Sequence, residues 1–187
     1  MSFLEIMFCH SIYHSTLSNE KIKKQLLKIV YALEKNVESN KKTNKGGYQK
    51  DLNCKDLFSN LISKEINKYE KLLNFNKKLK LDNLWCNINY KNSYNVSHVH
   101  PEAHFSGVYY LKTPTNCGQL IFTNPNTFVG MHSEMEQASE HPNFKSHFYI
   151  EPVENLLLIF PSYLLHEVEM NNSNKKRISI SFNLCIK

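Results

Sequence analysis

The spacing of apolar residues changes character near residue 80. Upstream, Ile22, Leu26, Ile29, Val30 and Leu33 recur at steps of three and four, which predicts a helix over about residues 18–38 with Ser18 as its cap. Leu57, Leu61, Ile62, Ile66, Tyr69 and Leu73 repeat the pattern and predict a second helix over about 56–75. Between them, residues 39–48 are polar, rich in Lys and Asn, and end on Gly46-Gly47, so they read as a loop. Downstream the period shortens to two. LWCNINY (84–90), FSGVYYLK (105–112), 119–123 entered through Gly118, 144–150, LLLIF (156–160), 166–170 and RISISFNLC (177–185) each predict a strand. Many short strands separated by Asn, Pro and Gly turns argue for a sandwich or barrel, with the two helices packed outside it. Residues 124–143 show little period and read as a lid or substrate loop.

A chain of 187 residues fits one domain, taken as 1–187, with a helical part to about 80 and a β core over about 81–187. Hydrophobic residues make up 41% and charged residues 21%, an ordinary soluble composition. The formal net charge of +6 comes largely from lysines of the first half, among them Lys21, Lys23, Lys24, Lys41, Lys42, Lys45, Lys77, Lys78 and Lys80. Interleaved with Asn, they read as a solvated surface. The aromatic residues nearby do not form a stacking series, which disfavours nucleic acid as a partner. The five cysteines, Cys9, Cys54, Cys86, Cys117 and Cys185, are odd in number and form no CxxC pair. That disfavours a disulfide scaffold or a zinc ribbon and predicts free thiols in a reducing cytoplasm. No apolar stretch has membrane-spanning length, and MSFLEIMFCHSIYHSTLSNE lacks a basic start and long apolar core, so neither a membrane partner nor a signal peptide is expected.

The chemistry concentrates in the β half. In His98-Val99-His100, residues i and i+2 of an extended segment share a face, about 7 Å apart along the backbone. Two imidazoles so placed can hold one metal, with His166 in FPSYLLHEV as a third donor. Imidazole alone leaves Zn, Cu, Fe and Ni open. Eleven residues beyond His166 stands Arg177, with Ser179 on the same strand face.

In order and spacing, HFSGVYYL, CGQLIF, IFPSYLLHEV and RISISFN resemble the double-stranded β-helix of the 2-oxoglutarate/Fe(II) oxygenases. The nearest likeness is to their prolyl-hydroxylase-like branch and a group of small 2OG-Fe(II) oxygenases within it. The resemblance runs from Trp85 to Asn183 and more weakly over the N-terminal helices. It implies a mainly β fold, a cupin-like jelly-roll preceded by two α-helices. It also implies an Fe(II)- and 2-oxoglutarate-dependent dioxygenase that hydroxylates an unidentified substrate and releases succinate and CO2. By the same resemblance His98 and His166 match metal ligands. Arg177 matches the residue that pairs with the far carboxylate of 2-oxoglutarate, a task suited to a guanidinium fork, and Ser179 and Tyr110 match its hydrogen-bonding neighbours. Gly118 matches a glycine at a strand start.

The chain departs from the family pattern where a carboxylate is usual and His100 stands instead. Either His100 is a ligand and the site is three-His, or Glu102 of His100-Pro101-Glu102 supplies the carboxylate while His98 moves away from the metal, or neither binds and water completes the site. His104 stands close by, as a residue near the site or as packing at the strand start. Leu156, Leu158 and Phe160, with Ile178, Ile180 and Phe182, are expected to line a dry pocket. Two other functions are carried alongside: a three-His cupin-type metalloenzyme that does not use 2-oxoglutarate, and a non-catalytic metal- or ligand-binding jelly-roll. The substrate, a small molecule or a protein side chain, would react with O2. A homodimer through the helices is left open.

Overall fold

The computed structural model describes residues 9–40 and 42–187. The start of the segment read as lacking a signal peptide, and Lys41 of the Lys/Asn surface, lie outside the described residues. Helix α1 (Glu20–Asn36) is capped by Asn19, whose Oδ1 accepts from the Ile22 N–H at 3.1 Å; Ser18 lies one residue before the cap. It buries Leu26 and Val30, and also Lys23, whose ammonium reaches Glu154 at 2.8 Å. Helix α2 (Lys55–Leu72) buries Phe58, Leu61, Ile62, Ile66 and Tyr69 on one face. Among the described residues no helix is long and apolar enough to cross a membrane.

Strands β1 (Tyr13–Thr16), β3 (Tyr48–Asp51), β4 (Leu79–Asn89), β6 (Phe105–Lys112), β9 (Leu156–Pro161) and β11 (Arg177–Ile186) form one sheet in the order β1-β9-β6-β11-β4-β3. Strands β2 (Asn44–Lys45), β5 (Tyr94–His98), β7 (Leu120–Thr123), β8 (His147–Ile150) and β10 (His166–Val168) form a second, in the order β2-β5-β10-β7-β8. Every pairing is antiparallel. Asn74, Asn92, Asn116 and Asn155 adopt positive φ, the left-handed conformation that Asn tolerates better than most residues.

Strand alternation sorts side chains between two cores. Tyr109 and Leu111 of β6, Leu157 and Ile159 of β9, and Ile178, Ile180, Phe182 and Leu184 of β11 pack with α1 and α2. Val108 and Tyr110, with Leu158 and Phe160, face the second sheet and meet its Leu120, Phe122 and Ile150. This corrects one expectation. Ile178, Ile180 and Phe182 belong to the helix-side core, because Arg177, Ser179 and Ser181 take the alternate positions facing between the sheets. Gly107 on β6 permits the close approach: a Cβ there would lie 2.2 Å from Phe182 Cζ and 2.6 Å from the Leu158 carbonyl oxygen.

Several elements differ from the sequence reading. Strands β1, β2, β3 and β5 are additional, and β2 and the start of β3 fall inside the expected loop 39–48. Residues 124–143 hold two short helices, α3 (Thr127–Met131) and α4 (Ser133–Ala138). A 3-10 turn at Pro142–Phe144 delays β8 to His147.

Candidate metal and cosubstrate site

Strands β5 and β10 pair so that His98 lies opposite His166. A bulge follows, setting Val168 opposite Asn95. Each imidazole is oriented by the carbonyl two residues before it: His98 Nδ1 lies 2.7 Å from the Val96 oxygen and His166 Nδ1 2.8 Å from that of Leu164. An Nδ1–H that donates there leaves Nε2 with its lone pair. His100 follows β5, and its backbone N–H donates to Ser162 O at 2.9 Å. Its ring leans on Trp85, with centroids 5.5 Å apart. The three imidazole centroids stand 5.0, 4.4 and 5.2 Å from one another, and one nitrogen of each lies within 4.8 Å of the others.

Burial pushes all three histidines below their ordinary value. His98 is lowered, His100 falls to about 4 and His166 to about 3, with mutual repulsion adding to the last two. They are therefore neutral at neutral pH, the state in which imidazole binds a divalent metal. Glu102 is exposed and stands outside this cluster. His104 is exposed too, and its Nδ1 accepts from the Ile186 N–H at 3.4 Å.

The same narrow cavity between the sheets reaches Arg177, Ser179 and Tyr110. Arg177 is only 2% exposed. Its Nη2 donates to Tyr110 Oη at 3.5 Å, the guanidinium carbon lies 5.2 Å from the Tyr110 ring centroid, and Nε and Nη1 have no partner. Ser179 faces Tyr110 across β6 and Asn87 across β4. Burial raises the Tyr110 hydroxyl pKa, against the opposing pull of Arg177, so it stays a protonated donor. A buried cation with two idle donors, beside a phenol and a serine, is a donor set for an acceptor-rich anion. Three neutral imidazoles in the same cavity suit a divalent transition metal. The residues present therefore fit both an iron ion and a dicarboxylate.

Sequence reasoning gave no role to several residues of this cavity. Asn87 donates through Nδ2 to Ser181 Oγ at 3.1 Å, while its buried Oδ1 has no partner. Asn89 donates to Asn95 at 3.0 Å, tying β4 to β5, and Asn95 donates to Thr43, just before β2, at 3.2 Å. The signal was the alternation of 84–90 itself: Trp85, Asn87 and Asn89 share the face opposite Leu84, Cys86 and Ile88. Gly118 has φ +82°, and a Cβ there would sit 2.4 Å from the Glu169 carbonyl oxygen, so it is more than a turn residue.

Residues 83–183 match the family model described as "Putative 2OG-Fe(II) oxygenase". No curated protein matches the chain in sequence. Among solved structures, the fold is similar to a prolyl-4-hydroxylase of Pseudomonas putida, at TM-score 0.65 and 13% identity over 95% of this chain and 94% of that one. It is similar to a prolyl hydroxylase of Trichoplax adhaerens, solved with a hypoxia inducible factor peptide fragment, at TM-score 0.63 and 16% identity over 93% and 83% of the two chains. A third likeness is to HygX of Streptomyces hygroscopicus, solved with nickel and 2-oxoglutarate, at TM-score 0.59 and 10% identity over 94% and 82%. At these identities the likeness is one of fold: the jelly-roll of 2OG-Fe(II) oxygenases.

Proposed function

The chain belongs to the 2OG-Fe(II) oxygenases, a family of oxidoreductases, and from that premise we propose that it is an Fe(II)- and 2-oxoglutarate-dependent dioxygenase with a three-His metal site. His98, His100 and His166 hold the metal through the nitrogens that their backbone carbonyls and packing leave free. Arg177, with Tyr110 and Ser179, holds the far carboxylate of 2-oxoglutarate. When bound, iron and 2-oxoglutarate together supply the oxidation of a substrate C–H bond by O2, with release of succinate and CO2. Val108, Leu158 and Phe160 keep water from the space between the sheets. A neutral imidazole where relatives carry a carboxylate leaves the metal site one charge more positive, which strengthens its hold on a dianion.

The observation that carries this reading is the buried Arg177 guanidinium with two unpartnered nitrogens in the cavity of the three imidazoles. Anaerobic Fe(II) titration with and without 2-oxoglutarate tests it. A weak visible charge-transfer band that needs both components is expected. Fe(II) binding without that band would favour the second reading, a three-His metalloenzyme that does not use 2-oxoglutarate. The third imidazole in the cluster supports that reading, and the idle guanidinium weighs against it.

A further inference from the structure

The three imidazoles are not held alike. His98 and His166 face each other across paired strands, and each has its Nδ1 on a backbone carbonyl, at 2.7 Å from Val96 O and 2.8 Å from Leu164 O. His100 lies beyond the end of β5, past its pairing with β10. Among the described residues its ring nitrogens have no hydrogen-bond partner, and the ring rests on Trp85.

What places this third imidazole is its backbone. The His100 N–H donates to Ser162 O at 2.9 Å, and the Ser162 N–H donates to His104 O at 3.1 Å. Ser162 thus brackets the segment 100–104 at both ends. Inside the bracket, the Ala103 N–H closes a turn onto His100 O at 3.2 Å. The turn that Ser162 itself enters, closed by the Leu164 N–H onto Pro161 O at 3.1 Å, presents the carbonyl that orients His166. One residue therefore joins the two segments that carry His100 and His166.

Ser162 follows β9 and lies in no strand, so its own position needs an anchor. Its hydroxyl supplies one. Ser162 Oγ lies 2.8 Å from Ser106 Oγ, and Ser106 Oγ donates to Asn183 Oδ1, also at 2.8 Å. A serine hydroxyl has a single proton. Ser106 gives its proton to Asn183, so the bond between the serines runs from Ser162 to Ser106. Ser106 and Asn183 face each other across β6 and β11, two central strands of the six-stranded sheet. All three residues are buried, both serines to 1% exposure.

We propose that Ser162 is a positioning residue for the metal site. Its main chain sets His100 against the other two imidazoles, and the hydroxyl chain through Ser106 to Asn183 holds it there. The inference rests on the three-His site of the reading above and adds a division of labour to it. Strand pairing places His98 and His166; the serine chain places His100. Loosening the chain should release the third ligand first and leave a two-imidazole site.

Co(II) titration of the metal-free protein tests this, because the visible ligand-field bands of Co(II) follow the number and kind of its donors. His100→Ala supplies the spectrum of the two-imidazole site. Ser162→Ala keeps the carbonyl and removes the anchor; Ser106→Ala keeps Ser162 and removes its acceptor. Neither adds bulk, and either variant serves alone. Each is expected to weaken Co(II) binding on the order of 10-fold, the low end for a residue that supports a metal ligand, and to move the bands toward those of His100→Ala. In the His100→Ala background, Ser162→Ala should change neither affinity nor bands further. Parent affinity and parent bands in both serine variants overturn the proposal. So does a loss that adds in full to that of His100→Ala, since Ser162 would then act elsewhere. Thermal melts of the metal-free variants give the remaining check: a lower Tm with unmoved bands makes the serine chain structural only and overturns its metal role. A parent protein that takes up no Co(II), or whose bands equal those of His100→Ala, counts instead against the three-His reading itself, and this inference falls with it.

Discussion

Arg177 is an expensive residue to keep without a ligand. Its guanidinium is 2% exposed, makes one long hydrogen bond to Tyr110 and leaves Nε and Nη1 idle. An unmatched buried charge costs several kcal/mol, and apolar replacements of similar bulk are often neutral or stabilising. Arg177→Met is therefore expected to leave the ligand-free protein at least as stable, by up to about 3 kcal/mol. The same variant should lose the 2-oxoglutarate-dependent charge-transfer band. Thermal melts beside the anaerobic titration check both, and a less stable ligand-free variant that still binds 2-oxoglutarate normally would reject the assigned role. His100 and Glu102 invite a matching comparison. His100 stands inside the imidazole cluster and Glu102 is exposed outside it. His100→Ala should weaken Fe(II) binding by more than about 10–100-fold, the usual cost of disturbing even a supporting residue around a metal. Glu102→Gln should leave it unchanged. The reverse result would restore Glu102 as the ligand.

At the scale of elements, Glu65 fastens α2 to β1, an edge strand of the six-stranded sheet. Its carboxylate accepts from Tyr13 Oη at 2.6 Å and Ser15 Oγ at 2.7 Å, and meets Lys68 at 2.8 Å. Burial alone would raise its pKa, but these hydrogen bonds outweigh burial and bring it down to about 2. A carboxyl depressed in the folded state stabilises fully above its unfolded value, about 4.3. That contribution fades as the pH falls from there through about 2. Glu65→Gln should cost on the order of 1–3 kcal/mol at pH 7 and flatten the acid limb of the stability profile. An unchanged acid limb, measured by urea melts between pH 2 and 7, would show that other carboxyls carry it.

The elements legible in the sequence were those whose burial is apolar. Strand β11 alternates plainly, β6 and β9 are short, largely apolar runs, and the predicted spans of all three match within about a residue. Strand β5 hid because its inward positions are Asn95 and His98, polar residues that serve the cavity. β1, β2 and β3 are short, mostly polar edges or near-edges that depend on partners for burial. The imidazoles, Arg177 and Ser179 stood out as chemistry at strand spacing. Asn87 did not, because in a chain this rich in Asn the residue reads as a turn former. The side taken by Ile178, Ile180 and Phe182 could have been fixed in advance, since Arg177 and Ser179 at the cavity force them to the opposite face.

For the whole molecule, the site is a joint between layers. His98 and His166 belong to the five-stranded sheet, while Arg177, Ser179 and Tyr110 belong to the six-stranded one. A molecule that meets the metal at one end and Arg177 at the other connects the sheets across the cavity, so its binding should oppose global unfolding. A ligand bound only to the folded state adds about 2.7 kcal/mol at 100 times its Kd. For a domain of this size each kcal/mol raises Tm by roughly 2–4 °C. Mn(II) and 2-oxoglutarate together are therefore expected to raise Tm by about 5–10 °C. The combined shift should exceed the sum of the separate shifts, because each partner raises the other's affinity by the same factor. Arg177→Met should keep the Mn(II) shift and lose the excess. Strictly additive shifts in the parent protein would mean that the two ligands do not share one site, and the sheets would then owe their cohesion to the Val108, Leu158, Phe122 and Phe160 core alone.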